Sequence, residues 1–494
     1  MRFCSRPAAP RSTPTPTSKL ADSTSATWSR RCDRKRVWPM SVDRAAAPSA
    51  QSDSTGVLGR VRVPGRAAAA RSGEDGRHTV GRRIIRRLRR PASPPDWVLV
   101  VSVLALVFIG LIFVFSSSLA ISQELHGNTH HFALRQVIGA GIGLIAFGVL
   151  ANIDYRRWQR ISSLIIGGAL VLLMLVLVPG VGHEENGAQR WIQIGSLPAL
   201  QPSEFAKLAI CIYVAAWLAA KGDEIKRIPL GLAPFCFIIG SVGGLIMLEP
   251  DLGTFAAISA TGVVMFFLAG AALKHMVILF IGGSGVLFLI IGLFGYGLER
   301  VRSFFNAEEF AQDAGFQIIN LVSTLGSGGL TGVGLGASRQ KFFYVPSAHT
   351  DGVFAIIGEE TGMLGAMIVL AIFGALIYRG IRAGMRAEDR FGTLLAFGIV
   401  AWFALQAFFN IAGVTRTIVL TGIPLPFLSF GSSALIASLA AAGILVSISR
   451  YGRGEFPVSA DPPLNDAAPT RDVAPRPQRP PKPSPFHSGR GDGG

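Results

Sequence analysis

The sequence predicts an all-α, polytopic membrane protein, and three observations lead to that class. Half of the 494 residues are hydrophobic and only 16% are charged, and the mean hydropathy is +0.45. The apolar residues are gathered in runs of about 17–25, enough for a helix to cross a hydrocarbon layer of ~30 Å. Hydrocarbon offers no partner for backbone N–H and C=O groups, so these runs are predicted to be helices.

Ten membrane spans are predicted from these runs. They cover roughly residues 97–119, 133–152, 161–178, 204–220, 229–248, 252–270, 275–296, 352–378, 391–412 and 431–449. The loops between them alternate between rich and poor in Lys and Arg, which places the basic loops and both termini in the cytoplasm. A large extracytoplasmic loop, residues 297–351, then lies between spans 7 and 8. Long structured loops usually carry function.

The spans divide the chain into three regions. Residues 1–95 form a basic tail, 96–452 the membrane domain, and 453–494 a Pro-rich tail; both tails are predicted to be disordered and cytoplasmic. Residues 1–90 hold 21 Lys and Arg against 6 Asp and Glu, so most of the net charge of +17 lies there. The segment "GRRIIRRLRR" (81–90) predicts contact with anionic lipid. Nucleic-acid binding, the alternative for a basic tail, is not favoured beside a membrane helix.

Two further observations concern the ends of the chain and its cysteines. Residues 1–39 look like no functional segment, so Met40 is a candidate start. The four cysteines, at positions 4, 32, 211 and 236, follow neither a disulfide framework nor the spacing of a metal site.

Asp351, immediately before span 8, is the candidate catalytic residue. It belongs to the segment "YVPSAHTDGVFAIIGEETG" (344–362). The simplest interpretation is a helix N-cap, a position that Asp favours. A helix N-terminus would also keep the carboxylate ionised and attract an anionic ligand. An ionised carboxylate on the outer face suits a general base for sugar transfer.

Glu359 and Glu360 follow in the same span. Ionisable residues inside a span are costly, and each is a functional-site hypothesis by default. The alternative is an internal hydrogen bond or ion pair that holds the helices together. We favour this structural role for at least one of the two.

The segment "GAQRWIQIGSLPALQPSEFAKLAI" (187–210) carries three charged residues. Glu204 and Lys207 are three residues apart, so they share one helix face and can form an ion pair. The functional alternative is that Lys207 or Arg190 contacts a lipid phosphate. The sequence alone leaves both open.

Glycine, proline and acidic residues mark three further segments. In "LEPDLGT" (248–254), Glu249 and Asp251 form either a turn with Asp as N-cap, which we favour, or a weak site for a divalent cation. "GSGGLTGVGLG" (326–336) is not a Walker loop, because no Gly-Lys-Ser/Thr follows; it is a tight loop or a substrate cradle. "TGIPLPFLSFGSS" (421–433) predicts broken backbone that walls a cavity.

Taken in order, these segments resemble the SEDS family, the FtsW/RodA/SpoVE-type peptidoglycan polymerases. Seven pieces occur in family order over residues ~97–450: "VFSSS", "FALRQ", "RWIQIG" with "QPSEFAK", "EPDLGT", "GSGGLTGVGLG", "AHTDGVFAIIGEETG" and "GIPLPFLSFGSS". The resemblance implies ten spans and an inverting, extracytoplasmic glycosyltransferase that uses lipid II as donor and acceptor. "KFFYVP" (341–346) is more similar to the division-type FtsW branch than to the elongation-type RodA branch.

The resemblance also implies roles for particular residues. The Asp of the family's "HTD" motif, the essential carboxylate, falls on Asp351. The candidates for binding the sugar and its lipid are Gln201, Ser203, Glu204, His349 and Thr350. The candidates for holding the diphosphate are Arg190, Lys207, Arg300, Arg302 and Lys341, with a divalent cation, Mg²⁺ or Mn²⁺, as a possible helper.

Three departures from the family pattern involve four positions. Ser347 stands where the family commonly has Glu, Gly352 where it has Phe, and Arg416 and Val419 where it often has Gly and Pro. The first departure removes any assisting role for that Glu and leaves Asp351 untouched.

The chemistry expected of such an enzyme needs only one carboxylate. Hydrolases use two because an alkoxide leaves poorly, whereas diphosphate leaves without an acid. We expect Asp351 to take the proton from the acceptor's GlcNAc 4-hydroxyl as its oxygen attacks the donor's MurNAc anomeric carbon. A lipid II flippase is the main alternative, but transporters often show internal repeats and none is evident; a scaffold is the third.

The resemblance implies a bacterial cytoplasmic membrane as the location and lipid II, an undecaprenyl-diphosphate disaccharide-peptide, as the substrate. The implied partners are a class B penicillin-binding protein with transpeptidase activity and other divisome proteins. No nucleic acid is expected as a partner.

Overall fold

The computed structural model describes residues 93–185, 188–193, 199–294, 297–310, 314–342 and 344–452. The two predicted tails lie almost entirely outside these residues. The first seven spans correspond to α1 (Trp97–His126), α2 (His131–Asn152), α3 (Arg156–Val176), α4 (Pro202–Lys221), α5 (Ala233–Leu248), α6 (Leu252–Leu268) and α7 (Leu273–Phe294). The last three correspond to α10 (Val353–Met385), α11 (Arg390–Val414) and α12 (Ser432–Tyr451). The predicted all-α membrane fold is confirmed.

Within the described part of the chain, nine of these helices are long and apolar enough to cross a membrane. The remaining one, α6, is apolar but has 17 residues, or about 25 Å at the rise of an α-helix. Span 4 had looked the shortest in the sequence, but α4 extends to 20 residues because Pro202 and Ser203 begin it.

The loops contain short elements that the hydropathy pattern did not predict. Strands β1 (Gly182–Glu185) and β2 (Ala188–Ile192) pair antiparallel between α3 and α4. A 3₁₀ turn (Gly222–Lys226) and a π turn (Ile228–Leu232) join α4 to α5. The large loop between α7 and α10 carries α8 (Leu298–Phe305) and α9 (Ala314–Ser327).

The core is formed by α4, α11 and α12, the helices with the largest buried share. Small residues let α12 approach α2 closely: a Cβ atom at Gly443 would lie 2.7 Å from the Phe147 carbonyl oxygen, and one at Gly139 2.9 Å from Ser432 Cβ. Close backbone approach through small residues is the usual way in which membrane helices pack. These helices form the rigid frame on which the outer loops rest.

Helix α10 is broken at Gly362, where φ is 69° and ψ is −170°. Residues 328–336, called the inserted loop below, satisfy the backbone groups that the break leaves. The amides of Val333 and Gly334 donate to the carbonyls of Glu359 and Glu360 (2.9 and 3.1 Å). The amides after the break donate in turn to carbonyls of the inserted loop at 2.9 and 3.2 Å. Irregular backbone inside a membrane protein is tolerated where protein covers it in this way.

Candidate functional site

Asp351 lies at the start of α10 with its side chain only 8% exposed. The sequence predicted an N-cap here, and this prediction is wrong: the capping position is Gly352, and no side chain caps the helix. The carboxylate instead accepts hydrogen bonds from Gln317 Nε2 at Oδ2 and from Thr350 Oγ1 at Oδ1, both at 3.2 Å. Burial raises the pKa of Asp351, whereas Thr350, Arg300 and Gln317 oppose that rise. The sequence predicted that the helix N-terminus would keep this carboxylate ionised. In the structure, the loss of solvent around the buried carboxylate has the larger effect on its pKa.

Arg300, on α8, is a predicted cationic residue that lies beside this carboxylate. Its Nη1 donates to the carbonyl oxygens of Thr421 and Leu420 at 3.2 and 3.5 Å. A Cβ atom at Gly422 would lie 3.5 Å from Arg300 Nη1 and 3.9 Å from Asp351 Oδ2. The guanidinium is exposed and lies beside the Asp351 carboxylate. Arg302 is exposed two residues further along α8.

The 421–424 loop, which passes between Arg300 and Asp351, is fixed by two amides of α11. Asn410 Nδ2 donates to the Asp351 carbonyl (3.0 Å) and to the Ile423 carbonyl (2.8 Å). One helical turn earlier, Gln406 Nε2 donates to the Pro424 carbonyl at 2.8 Å. The loop and Asp351 are thereby attached to the same buried helix.

Lys207 and Glu204, both on α4, form an ion pair that is hydrogen-bonded to Gln406. The Lys207 ammonium lies 2.8 Å from the Glu204 carboxylate and 3.0 Å from Gln406 Oε1, and above the Trp402 ring at 5.4 Å. Lys207 is 2% exposed and Glu204 1% exposed. The predicted i, i+3 pair is present, and Lys207 reaches the site through Gln406 rather than by an open contact with a phosphate.

Gln201 and Ser203 lie where α4 begins. The backbone amide of Gln201 donates to Ser433 Oγ at 3.1 Å, and Ser433 Oγ donates to the Ala199 carbonyl at 3.0 Å. The Ser203 side chain is fully buried. The start of α4 is thus joined to the start of α12, and these residues lie in the frame of the site.

His349 is packed between two aromatic rings. Its ring centroid lies 5.0 Å from that of Phe132 and 5.4 Å from that of Phe430, and its carbonyl accepts from the Phe430 amide at 2.8 Å. Burial lowers the pKa of His349 to about 4. The imidazole is therefore neutral near pH 7 and holds the chain before Asp351 in place.

The turn between α5 and α6 adjoins the same loop. Arg190 Nε donates to the Glu249 carbonyl at 2.8 Å, and its Nη2 donates to the Pro250 carbonyl. Asp251 Oδ1 accepts from the Thr254 amide at 3.0 Å, so the predicted N-cap at Asp251 is present. A Cβ atom at Gly253 would lie 2.8 Å from the Thr421 carbonyl oxygen, which places this turn directly against the loop.

Glu249 and Asp251 do not fit a divalent cation as a pair. Glu249 is fully buried, and burial with the nearby Asp251 charge raises its pKa to about 8, although Arg190 opposes the rise. Asp251 uses one oxygen as a cap. Over the described ranges, no group of three or more His, Cys, Asp or Glu side chains is arranged to hold a metal ion. A divalent cation remains a prediction.

Glu359 and Glu360 lie beneath the inserted loop. Glu359 accepts from Ser338 Oγ and from the Arg339 amide (3.2 Å). Glu360 accepts from Ser116 Oγ (2.8 Å), the Gly336 amide (3.0 Å) and Lys341 Nζ (3.2 Å). Lys341 Nζ also donates to the Gly336 carbonyl at 2.6 Å. These contacts give both glutamates a structural role at the break in α10. Lys341 belongs to this cluster and not to the group around Arg300 and Asp351.

Sequence reasoning assigned no role to Gln317, Gln406 or Asn410. Gln406 and Asn410 were detectable in principle, because two amides four residues apart inside an apolar span need buried partners. Gln317 carried no comparable signal, since an amide in a loop helix is ordinary.

Known proteins share this architecture and this sequence. A family model described as "Cell cycle protein", for FtsW, RodA and SpoVE, matches residues 96–454. "Stage V sporulation protein E" of Bacillus subtilis is 43% identical over 362 residues, which cover 73% of this chain and 98% of the relative. "Probable peptidoglycan glycosyltransferase FtsW" of Trichlorobacter lovleyi is 38% identical over 370 residues, covering 73% and 95%.

Solved structures agree with the sequence relatives. One is a chain from "Structural coordination of polymerization and crosslinking by a peptidoglycan synthase complex", with a TM-score of 0.61, 28% identity, and coverage of 72% of this chain and 97% of that one. The other is the Thermus thermophilus rod shape determining protein RodA, with a TM-score of 0.53, 28% identity, and coverage of 73% and 98%. The family model spans most of the chain, and it includes every residue of the site described above. The chain therefore belongs to the FtsW/RodA/SpoVE family of cell cycle proteins.

Proposed function

We propose that Asp351 is the general base of a glycosyltransferase that polymerises lipid II on the outer face of the bacterial cytoplasmic membrane. The chain is a multi-pass membrane protein and a peptidoglycan glycosyltransferase of the division type. The observation that carries the assignment of the base is the buried carboxylate of Asp351 beside the exposed guanidinium of Arg300. A base and a cation that lie side by side suit a sugar donor whose leaving group is a diphosphate.

The proposed reaction is a single inverting displacement. The acceptor's GlcNAc 4-hydroxyl gives its proton to Asp351 while its oxygen bonds to the MurNAc anomeric carbon of the donor. The bond from that carbon to the lipid diphosphate breaks, and the diphosphate leaves with the electron pair. Burial raises the pKa of Asp351, which makes it a stronger base as long as it stays ionised at the working pH.

Arg300 and Arg302 are the proposed contacts for the diphosphate. Both lie on α8 and are exposed, so a phosphate can approach them. Lys207 and Lys341 are each at most 5% exposed and bonded to a glutamate, and Arg190 donates to the carbonyls of the 249–250 turn. For these three we propose roles in shaping the site.

A transpeptidase of the class B penicillin-binding type and other divisome proteins are the proposed partners. The support is the resemblance to FtsW and the similarity to a chain from a peptidoglycan synthase complex. Both termini are proposed to be cytoplasmic, because the basic loops lie on the side opposite to Asp351 in the predicted topology.

The test is polymerisation of labelled lipid II by the purified full chain, with and without a cognate transpeptidase. Wild type is compared with Asp351→Asn, which keeps the shape and removes the base, and with Glu308→Gln, which neutralises an exposed carboxylate of the same loop. We expect glycan strands from wild type and Glu308→Gln and none from Asp351→Asn. Equal product from Asp351→Asn would remove Asp351 from the chemistry. Movement of lipid II across vesicle membranes without polymerisation would identify a transporter instead.

A further inference from the structure

The two oxygens of the Asp351 carboxylate have different partners. Oδ2 accepts from Gln317 Nε2 at 3.2 Å and faces Gly422, as the Arg300 guanidinium does. Oδ1 accepts from Thr350 Oγ1 at 3.2 Å. The two contacts are equal in length, so the difference between the two oxygens lies in the chemistry of their donors.

The Gln317 side chain presents its Nε2 donor, and not its carbonyl oxygen, to Oδ2. An amide N–H has no lone pair to accept a hydrogen bond, so a proton placed on Oδ2 would face a donor. The Gln317–Oδ2 contact therefore favours the ionised state and disfavours protonation at that oxygen.

Thr350 is a partner of a different kind. Its hydroxyl has one proton and two acceptors within reach, the Ser347 carbonyl at 3.0 Å and Asp351 Oδ1 at 3.2 Å. It can donate to only one of them at a time. With its proton on the Ser347 carbonyl, the Thr350 oxygen keeps lone pairs for an Oδ1–H group. Oδ1 therefore has a partner in both protonation states.

The position of Gln317 is fixed by the packing of α9. Gln317 and Leu321 are four residues apart, so they lie on one face of the helix. A Cβ atom at Gly352 would lie 3.2 Å from Leu321 Cδ2, so this face meets the chain directly after Asp351. The Gly315 amide donates to the Phe310 carbonyl at 3.0 Å, which holds the start of α9.

We infer that Gln317 is a positioning residue that fixes Oδ2 of Asp351 and directs the acceptor's proton to Oδ1, where Thr350 receives the new O–H group. The O–H bond of the acceptor breaks and the Oδ1–H bond forms as the glycosidic bond is made and the diphosphate leaves. The proton later passes to solvent, and Thr350 turns its own proton back to Oδ1 or to Ser347. This inference rests on the proposed role of Asp351.

The test is the pH profile of lipid II polymerisation for four variants of the full chain. Gln317→Leu removes the donor, Thr350→Val removes the hydroxyl, and Thr350→Ser restores it. Asn320→Leu is the matched control, because the Asn320 side-chain amide lies on the same helix and donates to the Phe316 carbonyl at 2.8 Å.

For Gln317→Leu we expect the acidic limb of the profile to move up by about one pH unit, the size of one lost hydrogen bond to a charged group. Activity should fall about tenfold on the acidic limb itself and recover at higher pH, where Asp351 is ionised in both proteins. Thr350→Val should also move the acidic limb to higher pH, because the Thr350 hydroxyl lowers the pKa of Asp351, and it should lower kcat above that limb as well; Thr350→Ser should restore both. Asn320→Leu should match wild type.

Two results would overturn the inference while leaving the proposed base in place. One is a Gln317→Leu enzyme that loses activity equally at all pH values, which would indicate a structural role. The other is a Thr350→Ser enzyme as impaired as Thr350→Val. An active Asp351→Asn enzyme would refute the base itself, whatever the Gln317 variant does.

Discussion

Removing the Lys207 ammonium tests whether this buried cation supports the site through Gln406. In Lys207→Met, the carboxylate of Glu204 stays 1% exposed without the cation that lies 2.8 Å away. In the double variant with Glu204→Gln, both charges are gone. Gln406 Oε1 keeps a donor in either case, because Trp402 Nε1 donates to it at 2.6 Å.

The expected magnitudes follow from these contacts. An ion stranded in the interior costs about 3–5 kcal/mol when its partner is removed, whereas replacing both charges of a buried pair is often neutral. We therefore expect Lys207→Met to lower the free energy of unfolding by about 3–5 kcal/mol, and the double variant to lie within about 1 kcal/mol of wild type. Polymerisation by the double variant should stay above about a tenth of wild type, because Gln406 still donates to the Pro424 carbonyl at 2.8 Å and that neutral bond is kept.

Thermal unfolding in detergent and lipid II polymerisation, measured on the same preparations, separate the possible roles. A double variant as unstable as Lys207→Met would refute the assignment of a simple ion pair. A double variant that is stable and wholly inactive would refute the route through Gln406, and it would restore the predicted contact between Lys207 and the diphosphate.

Three further predictions follow from single side chains. Gly362→Ala should prevent stable folding, because φ is 69° and the new Cβ would lie 2.4 Å from a backbone nitrogen of the inserted loop; a normal yield and melting temperature would contradict this. Arg300→Gln should raise KM for lipid II and move the acidic limb to higher pH, because Arg300 lowers the pKa of Asp351; an unmoved limb would contradict it. Glu249→Gln should become more stable relative to wild type as pH rises from about 5 to 8, because the pKa of Glu249 is raised from 4.5 to about 8 and folded wild type holds a proton there that the unfolded chain has lost; a melting-temperature difference independent of pH would contradict it.

Gly374→Ala is the matched control for Gly362→Ala. Gly374 lies in the same helix, and a Cβ there would meet nothing within 4 Å. The substitution should be neutral or slightly stabilising, because Ala favours a helix by about 1 kcal/mol over Gly.

The sequence was sufficient for the membrane helices but not for the structure between them. Lipid leaves the backbone of an apolar run no option other than a helix, so composition alone predicts α1 to α7 and α10 to α12. The hairpin β1–β2 and the helices α8 and α9 have no such constraint. The break at Gly362 was also hidden, because it depends on backbone partners about 30 residues earlier in the chain.

The charged residues of the site were predicted from the sequence, whereas the roles of its side-chain amides, those of Gln317, Gln406 and Asn410, were not. Asp351 stood out because it directly precedes span 8 on the predicted outer face and falls on the "HTD" motif. Its partner Gln317 is 34 residues away, and Asn410 is 59 residues away, so no local pattern joins them. Sequence also cannot show whether a cation such as Lys207 faces a ligand or a buried carboxylate, because that depends on which helix packs against it.

The buried carboxylates of this end of the molecule differ in how well their charge is satisfied. Glu360 accepts from the Lys341 ammonium, a serine hydroxyl and a backbone amide, and Glu359 from a hydroxyl and an amide. Such charge-assisted bonds stabilise an anion strongly. Asp351 accepts from two neutral side-chain donors, each at 3.2 Å and each at a different oxygen. A base must gain a proton readily, so among the three carboxylates of residues 351–360 the one with the weaker donors, Asp351, is suited to the chemistry.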